Sequence, residues 1–253
     1  METIIGNAPR WNQAVMPALP QNIAVGVGGV VIALLVVYAL VRVSKQHDPR
    51  LLIMLLGGVF SCLMEGFACY LIHCYHSEVG QYMVYQAFGI HVPLWLAEIY
   101  VIFFGGATYF LQELFTHRPS AGLFWGLFAA IGICEGTFEM YTHQLGMFQY
   151  WGPQPLPIFG FPLYLGFVNA SEPMCFAFLA CLWFREVKSA ARYLLALLTA
   201  PILIAIYGML VVAPAAGIFA GSDALMLGGT FVTAVLAITI AAMSFQGFVR
   251  LRQ

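Results

Sequence analysis

The chain has 253 residues, of which 62% are hydrophobic and 8% charged; an average soluble domain carries about 25% charged residues. Mean hydropathy is +0.88 and the formal net charge is −1. Too few polar side chains exist to cover a soluble surface, which excludes a soluble enzyme, a disordered protein and a nucleic-acid-binding module.

A transmembrane helix needs about 20 mostly apolar residues. Seven continuous apolar runs meet that length, at roughly 23–43, 51–75, 93–115, 121–143, 161–184, 191–212 and 224–249. Their continuity favours helices over the alternating strands of a barrel. A polar, Pro-containing segment precedes the first run, without the basic start of a secretory signal, so no cleavable signal is expected. Arg42, Lys45 and Arg50 flank the first loop, Arg118 lies in the third, and Arg185, Lys188 and Arg192 lie in the fifth. Arg250 and Arg252 follow the last span, and only Arg10 falls on the opposite side. Positive-inside asymmetry then places the N-terminus outside and the C-terminus in the cytoplasm, which an odd number of spans requires. The six cysteines fall in or beside spans and read as small packing residues.

Span 2 carries Glu65-Gly66 and His73, and span 4 carries Glu135-Gly136 and His143, at an offset of 70. Each is followed by an outer loop without Lys or Arg. Each loop leads into a similar helix start, Pro93-Leu94-Trp95-Leu96 and Pro162-Leu163-Tyr164-Leu165. Spans 2–3 therefore read as duplicated in spans 4–5, and sites in membrane folds often lie where two such copies meet. The expected fold is all-α: one seven-span, multi-pass domain of the cell membrane.

Ionisable groups inside spans are costly and mark functional hypotheses. Glu65, Cys69 and His73 are spaced i, i+4, i+8 on one face of span 2, as are Glu135, Glu139 and His143 on span 4. At about 1.5 Å per residue, Glu65 and Glu135 lie roughly 21 Å above the cytoplasmic ends of their spans. Span 3 adds Glu98 near its outer end, and span 5 places Asn169 and Glu172 nearer the middle. No Lys or Arg lies inside spans 2–5, so at least one of these carboxyls is expected to be protonated. Such a donor in an apolar cavity suits acid-initiated chemistry on an uncharged lipid. Glu135 and Glu139 are the first candidates for the acid. Glu65 and Glu98 are their partners, His73 and His143 are relays, and Asn169 and Glu172 form the cavity floor. Trp95, Tyr141, Tyr150, Trp151 and Tyr164 offer π faces for a cation or, alternatively, an interfacial aromatic belt. The loop 144–160 reads as either a lid or a passive surface loop.

Other seven-helix functions are tested by the same residues. Lys45 and Lys188, the only lysines, lie in loops, so a retinal Schiff base is excluded. Glu139 and His143 have metal-ligand spacing, but the ExxH of di-iron bundles and HExxH are absent, and His76 and His91 read as solvated. No metal or cofactor is expected. A proton-coupled carrier or lipid-binding protein is the second reading, and a metal-dependent lipid oxidase or hydrolase the third.

The stretch Glu135-Gly136, Glu139, Gly146, Phe148, Tyr150, Gly152-Pro153 and Phe159-Gly160-Phe161-Pro162-Leu163-Tyr164 resembles the membrane proteins of carotenoid biosynthesis, including carotenoid 1,2-hydratases. The duplicated, acid-rich layout is also similar to membrane lycopene cyclases and other integral-membrane terpene cyclases. The Pro-x-Glu-Glu/Asp motif of the lycopene cyclases is missing: Pro93 stands five residues before Glu98, and Ser171-Glu172-Pro173 has the reverse order. The resemblance implies cofactor-independent, acid-initiated cyclisation, hydration or isomerisation of an isoprenoid lipid through a carbocation. The expected partners are such a lipid and the surrounding membrane lipids.

Overall fold

The computed structural model describes residues 13–117 and 120–252. Arg10 and Arg118 lie outside the described residues, as does the side chain of Arg252. The fold is mostly helical. Among the described residues six helices are long and apolar enough to cross a membrane, and a bent pair brings the number to seven if it is one span. The protein is a multi-pass membrane protein.

Helix α1 (Ala18–Gln46) stands at the edge of the bundle with most of its apolar surface exposed. Its buried Gln21 ties it to the loop below the first hairpin, donating to the Gly80 carbonyl and accepting from the Tyr82 N–H. Helices α2 (Arg50–Cys62) and α3 (Glu65–Ile72) form the bent pair, turned by 49° at Leu63–Met64. The sequence reads one straight span over 51–75; instead the helix breaks immediately before Glu65. The break makes Glu65 the first residue of α3, where the helix dipole favours a carboxylate.

The chain then forms β1 (Cys74–His76) and a hairpin, β2 (Met83–Ala87) and β3 (Ile90–Pro93). Helix α4 (Leu94–Tyr100) follows, continues through a π-helical segment (Val101–Ala107) and ends as α5 (Thr108–His117). Helix α6 (Ala121–Gln144) leads to β4 (Phe148–Tyr150) and a second hairpin, β5 (Pro157–Ile158) and β6 (Phe161–Pro162). Helices α7 (Leu163–Glu186), α8 (Ala191–Leu210), α9 (Val212–Ala220) and α10 (Asp223–Arg252) complete the bundle. Among the described residues, the segments after α3 and α6 thus carry six short strands, a departure from the all-α expectation.

Both hairpins turn on a Phe-Gly pair. Phe88 and Gly89 have φ of 53° and 79°, and Phe159 and Gly160 have φ of 49° and 86°. Positive φ at both central residues is the primed turn that matches the twist of a two-residue hairpin. Each hairpin ends in a proline that caps the next helix, Pro93 before α4 and Pro162 before α7. Strands β1 and β4 pair antiparallel, with Cys74 opposite Tyr150 and His76 opposite Phe148. The loop 144–160 is therefore joined to the segment after α3.

Two features bring α2 and the π-helical segment together. A Cβ on Gly58 would lie 2.8 Å from the Tyr100 carbonyl oxygen, and one on Gly105 would lie 2.7 Å from the Leu55 Cα. Glycine at both positions lets the backbones touch, the usual device for close helix packing in lipid. This contact fixes Tyr100 relative to the bend that carries Glu65.

Candidate functional site

An open cavity lies between α3, α4, α6, α7 and α8. Its wall is mainly apolar and aromatic, including Trp95, Phe103, Phe104 and Phe138, and it contains four glutamates: Glu65, Glu135, Glu139 and Glu172. No Lys or Arg lines it among the described residues. A concave, mainly apolar wall with a few convergent polar groups is the usual character of a small-ligand site.

The four carboxyls fall into two pairs. Glu65 and Glu139 are held by donors on both oxygens. Tyr100 donates its hydroxyl to Glu65 Oε2, while the Cys69 thiol donates to Oε1 at 2.9 Å and His76 Nε2 stands 3.3 Å away. Tyr150 donates its hydroxyl to Glu139 Oε2, and the Asn169 amide donates to Oε1 at 2.7 Å. Such sets of donors suit ionised carboxylates, which accept only. Glu135 and Glu172 have no hydrogen-bond or ion-pair partner among the described residues. A partnerless carboxyl in apolar surroundings is accommodated at least cost in its neutral, proton-bearing form.

The local sequence explains the placement. Glu135 and Glu139 are one turn apart on α6, so both face α7. On α7, Asn169 and Glu172 share a face three residues apart. Pro173 follows at once and has no N–H to return to the Asn169 carbonyl, so the helix ladder is interrupted beside the site. Strand β4 hangs over the end of the cavity, with Phe148 in the wall and Tyr150 reaching Glu139. The loop 144–160 therefore contributes directly to the site.

Of the residues singled out from the sequence, Glu65, Glu135, Glu139, Asn169, Glu172, Trp95 and Tyr150 line the cavity. The others do not. Glu98 lies against Gly28 of α1, where a Cβ would sit 2.5 Å from its Oε2. His73 caps α3 and stacks on Trp151, with ring centroids 4.1 Å apart, and both its nitrogens are buried without a hydrogen-bond partner. Neither nitrogen therefore connects to a glutamate of the cavity. His143 packs on Gly160, where a Cβ would sit 2.4 Å from its ring. Tyr141 is 64% exposed, and Tyr164 is buried in the packing core. His76, read as solvated, is only 3% exposed and belongs to the site.

Three site residues escaped the sequence reading. Tyr100 stands two positions after Glu98, about 200° round the helix, so the residue that faces the cavity is the tyrosine and not the acid. Cys69 shared a face with Glu65 but was read as packing. His76 returns to the site only because β1 turns back beneath β4. Burial opposes a proton on His76, but Cys69 and Glu65 outweigh it and raise its pKa above the ordinary histidine value.

At the opposite end of α2, Arg42, Asp48, Arg50 and Glu113 form a compact ion-pair network, with Arg50 2.9 Å from Asp48 and 2.7 Å from Glu113. Comparison with known proteins returns no match among family models, curated proteins or solved structures.

Proposed function

We propose that this protein is an integral-membrane enzyme that converts an isoprenoid lipid by acid-initiated cyclisation, hydration or isomerisation. The observation that carries the reading is the division of four carboxyls, in one apolar cavity lined by no Lys or Arg among the described residues, into two without a partner there and two held by donors. The resemblance of the 135–165 stretch to carotenoid-biosynthesis membrane proteins points the same way.

In this reading Glu135 delivers its proton to a carbon of a substrate alkene. A C–H bond forms, the π bond is consumed, and a cation is left on the neighbouring carbon. The faces of Trp95, Phe103, Phe104 and Phe138 and the Glu139 carboxylate stabilise it. Glu139, one turn from Glu135, then removes a proton from an adjoining carbon and releases it to water, and Glu135 takes up a proton from water for the next cycle. Atoms and electrons balance without an oxidant. Capture of the cation by an internal alkene gives a ring, and capture by water gives an alcohol.

The arrangement in the membrane belongs to the same proposal. The bent pair α2–α3 counts as one span of seven. Arg42, Lys45, Arg50, Arg185, Lys188, Arg192 and Arg250 mark the cytoplasmic side, with the strands and cavity mouth outside. The two Phe-Gly hairpins and their proline-capped helices support a duplicated unit, with the cavity between the copies.

The test is turnover of an isoprenoid extract by membranes containing the full chain, followed by mass spectrometry. Glu135→Gln keeps size and hydrogen bonding but removes the acid, and a loss of about 100-fold or more is expected. Full turnover by both Glu135→Gln and Glu139→Gln overturns the acid role. Uptake of unchanged lipid into proteoliposomes along a pH gradient, without product, would make the protein a carrier.

A further inference from the structure

Glu65, Cys69 and His76 present Oε1, Sγ and Nε2 to one another, and the three atoms lie within 4.8 Å of each other. The separations are 2.9 Å for Sγ–Oε1, 3.6 Å for Sγ–Nε2 and 3.3 Å for Nε2–Oε1. In a relay of the Cys–His–Glu kind, the two nitrogens of the imidazole face different partners. Here Nε2 alone faces both the thiol and the carboxylate, while Nδ1 has no hydrogen-bond partner. Convergence of three donor atoms on one point is the geometry of a chelate.

We propose that Glu65, Cys69 and His76 bind a borderline-soft divalent cation, zinc foremost, in the cavity wall. Zinc at its usual bond lengths and tetrahedral angles separates S from N by about 3.6 Å, N from O by about 3.3 Å and S from O by about 3.5 Å. Two of the three edges already have these lengths. The third is held short by the hydrogen bond from the thiol to Glu65, and metal replaces that proton, so Sγ and Oε1 open by about 0.6 Å. One thiolate, one imidazole and one carboxylate suit zinc better than the all-oxygen demands of magnesium or calcium. Tyr100 holds the other oxygen of Glu65, as outer partners of metal ligands do. Three protein ligands leave a fourth position, and all three line the cavity, so that position faces the substrate space. It accepts an oxygen, from water or from a hydroxyl group of an oxygenated isoprenoid.

This site does not depend on the acid role of Glu135, and the test keeps the two apart. The purified full chain in nanodiscs, stripped with chelator, is titrated with Co²⁺ and then Zn²⁺. Stoichiometry is read by elemental analysis, and ligation by the thiolate-to-cobalt charge-transfer band. One Co²⁺ per chain with that band, displaced by Zn²⁺, is expected. Cys69→Ser abolishes the band, and His76→Gln and Glu65→Gln each weaken binding at least tenfold. Cys181→Ser and Glu135→Gln leave it unchanged. If Cys69→Ser fails to fold, the near-isosteric Glu65→Gln decides by itself. Absence of stoichiometric binding, absence of the thiolate band, or undiminished binding in the folded ligand variants overturns the proposal.

Discussion

The two ends of the bundle handle charge in opposite ways. At the end where α2 begins, Arg42, Asp48, Arg50 and Glu113 cancel one another within a few ångströms. In the cavity near the bend, four glutamates are gathered with only His76 as a possible cation, and tyrosine hydroxyls, a thiol and an amide do the holding. The first arrangement ties α1, α2 and α5 together. The second leaves Glu135 and Glu172 without a hydrogen-bond or ion-pair partner among the described residues, an arrangement that stability alone does not favour. Two rules of burial operate in one chain, and the departure from pairing marks the place where chemistry is to be sought.

Substitutions can break or sharpen this contrast. The largest effect is expected for Glu135→Gln, whose loss of about 100-fold in turnover corresponds to about 2.7 kcal/mol of transition-state stabilisation. Asp48→Asn, at the paired end, should leave the rate per folded molecule unchanged, so measuring both variants in one assay tests the contrast itself. Gly105→Ala forces a side chain into the Leu55 backbone and should destabilise the protein by about 1–3 kcal/mol, read as a lowered Tm in detergent. Turnover should fall with it, because that contact positions Tyr100 on Glu65.

Tyr150→Phe removes one of the two donors to Glu139 and should lower turnover about tenfold, about 1.4 kcal/mol. An unchanged rate would mean that Glu139 needs no holding. The smallest effect lies at the paired end. Burial raises the Asp48 pKa, but hydrogen bonds from Arg50 and Arg42 outweigh it and hold the group below the usual carboxylate range. A depressed pKa contributes stability above the ordinary carboxylate value, and that contribution is lost as the pH falls towards the folded-state value. Because the pair is partly solvated, Asp48→Asn should cost about 1 kcal/mol at neutral pH, and the difference from the unsubstituted protein should shrink in acid.

Much of this site was legible because lipid makes every intramembrane acid conspicuous. Glu65, Glu135, Glu139 and Glu172 were identifiable from their type and from the absence of Lys or Arg nearby. Helical spacing put Glu135 and Glu139 on one face, and α6 keeps that spacing. Spacing failed where the helix is not regular. Helix α3 ends at Ile72 with His73 in the left-handed region, which stops the i, i+4, i+8 series after Cys69, so His73 stacks on Trp151 and His76 takes its place. Glu98 misled because, on a helix exposed on one side, an acid can face a neighbour's glycine as easily as a cavity. The strands were invisible as membrane elements, being only two to five residues long. Their turns were legible in principle: Phe-Gly recurs ahead of Pro-Leu in both copies, at Phe88-Gly89 and Phe159-Gly160.

The central claim is that a carboxyl in the cavity protonates a hydrocarbon. Proteoliposomes containing the full chain, supplied with an isoprenoid extract in D₂O, test it directly by mass spectrometry of the product. The account predicts a product at the oxidation level of its substrate, carrying one non-exchangeable deuterium on carbon, and no such product with Glu135→Gln. A product without carbon-bound deuterium, or one altered in oxidation level, would contradict it.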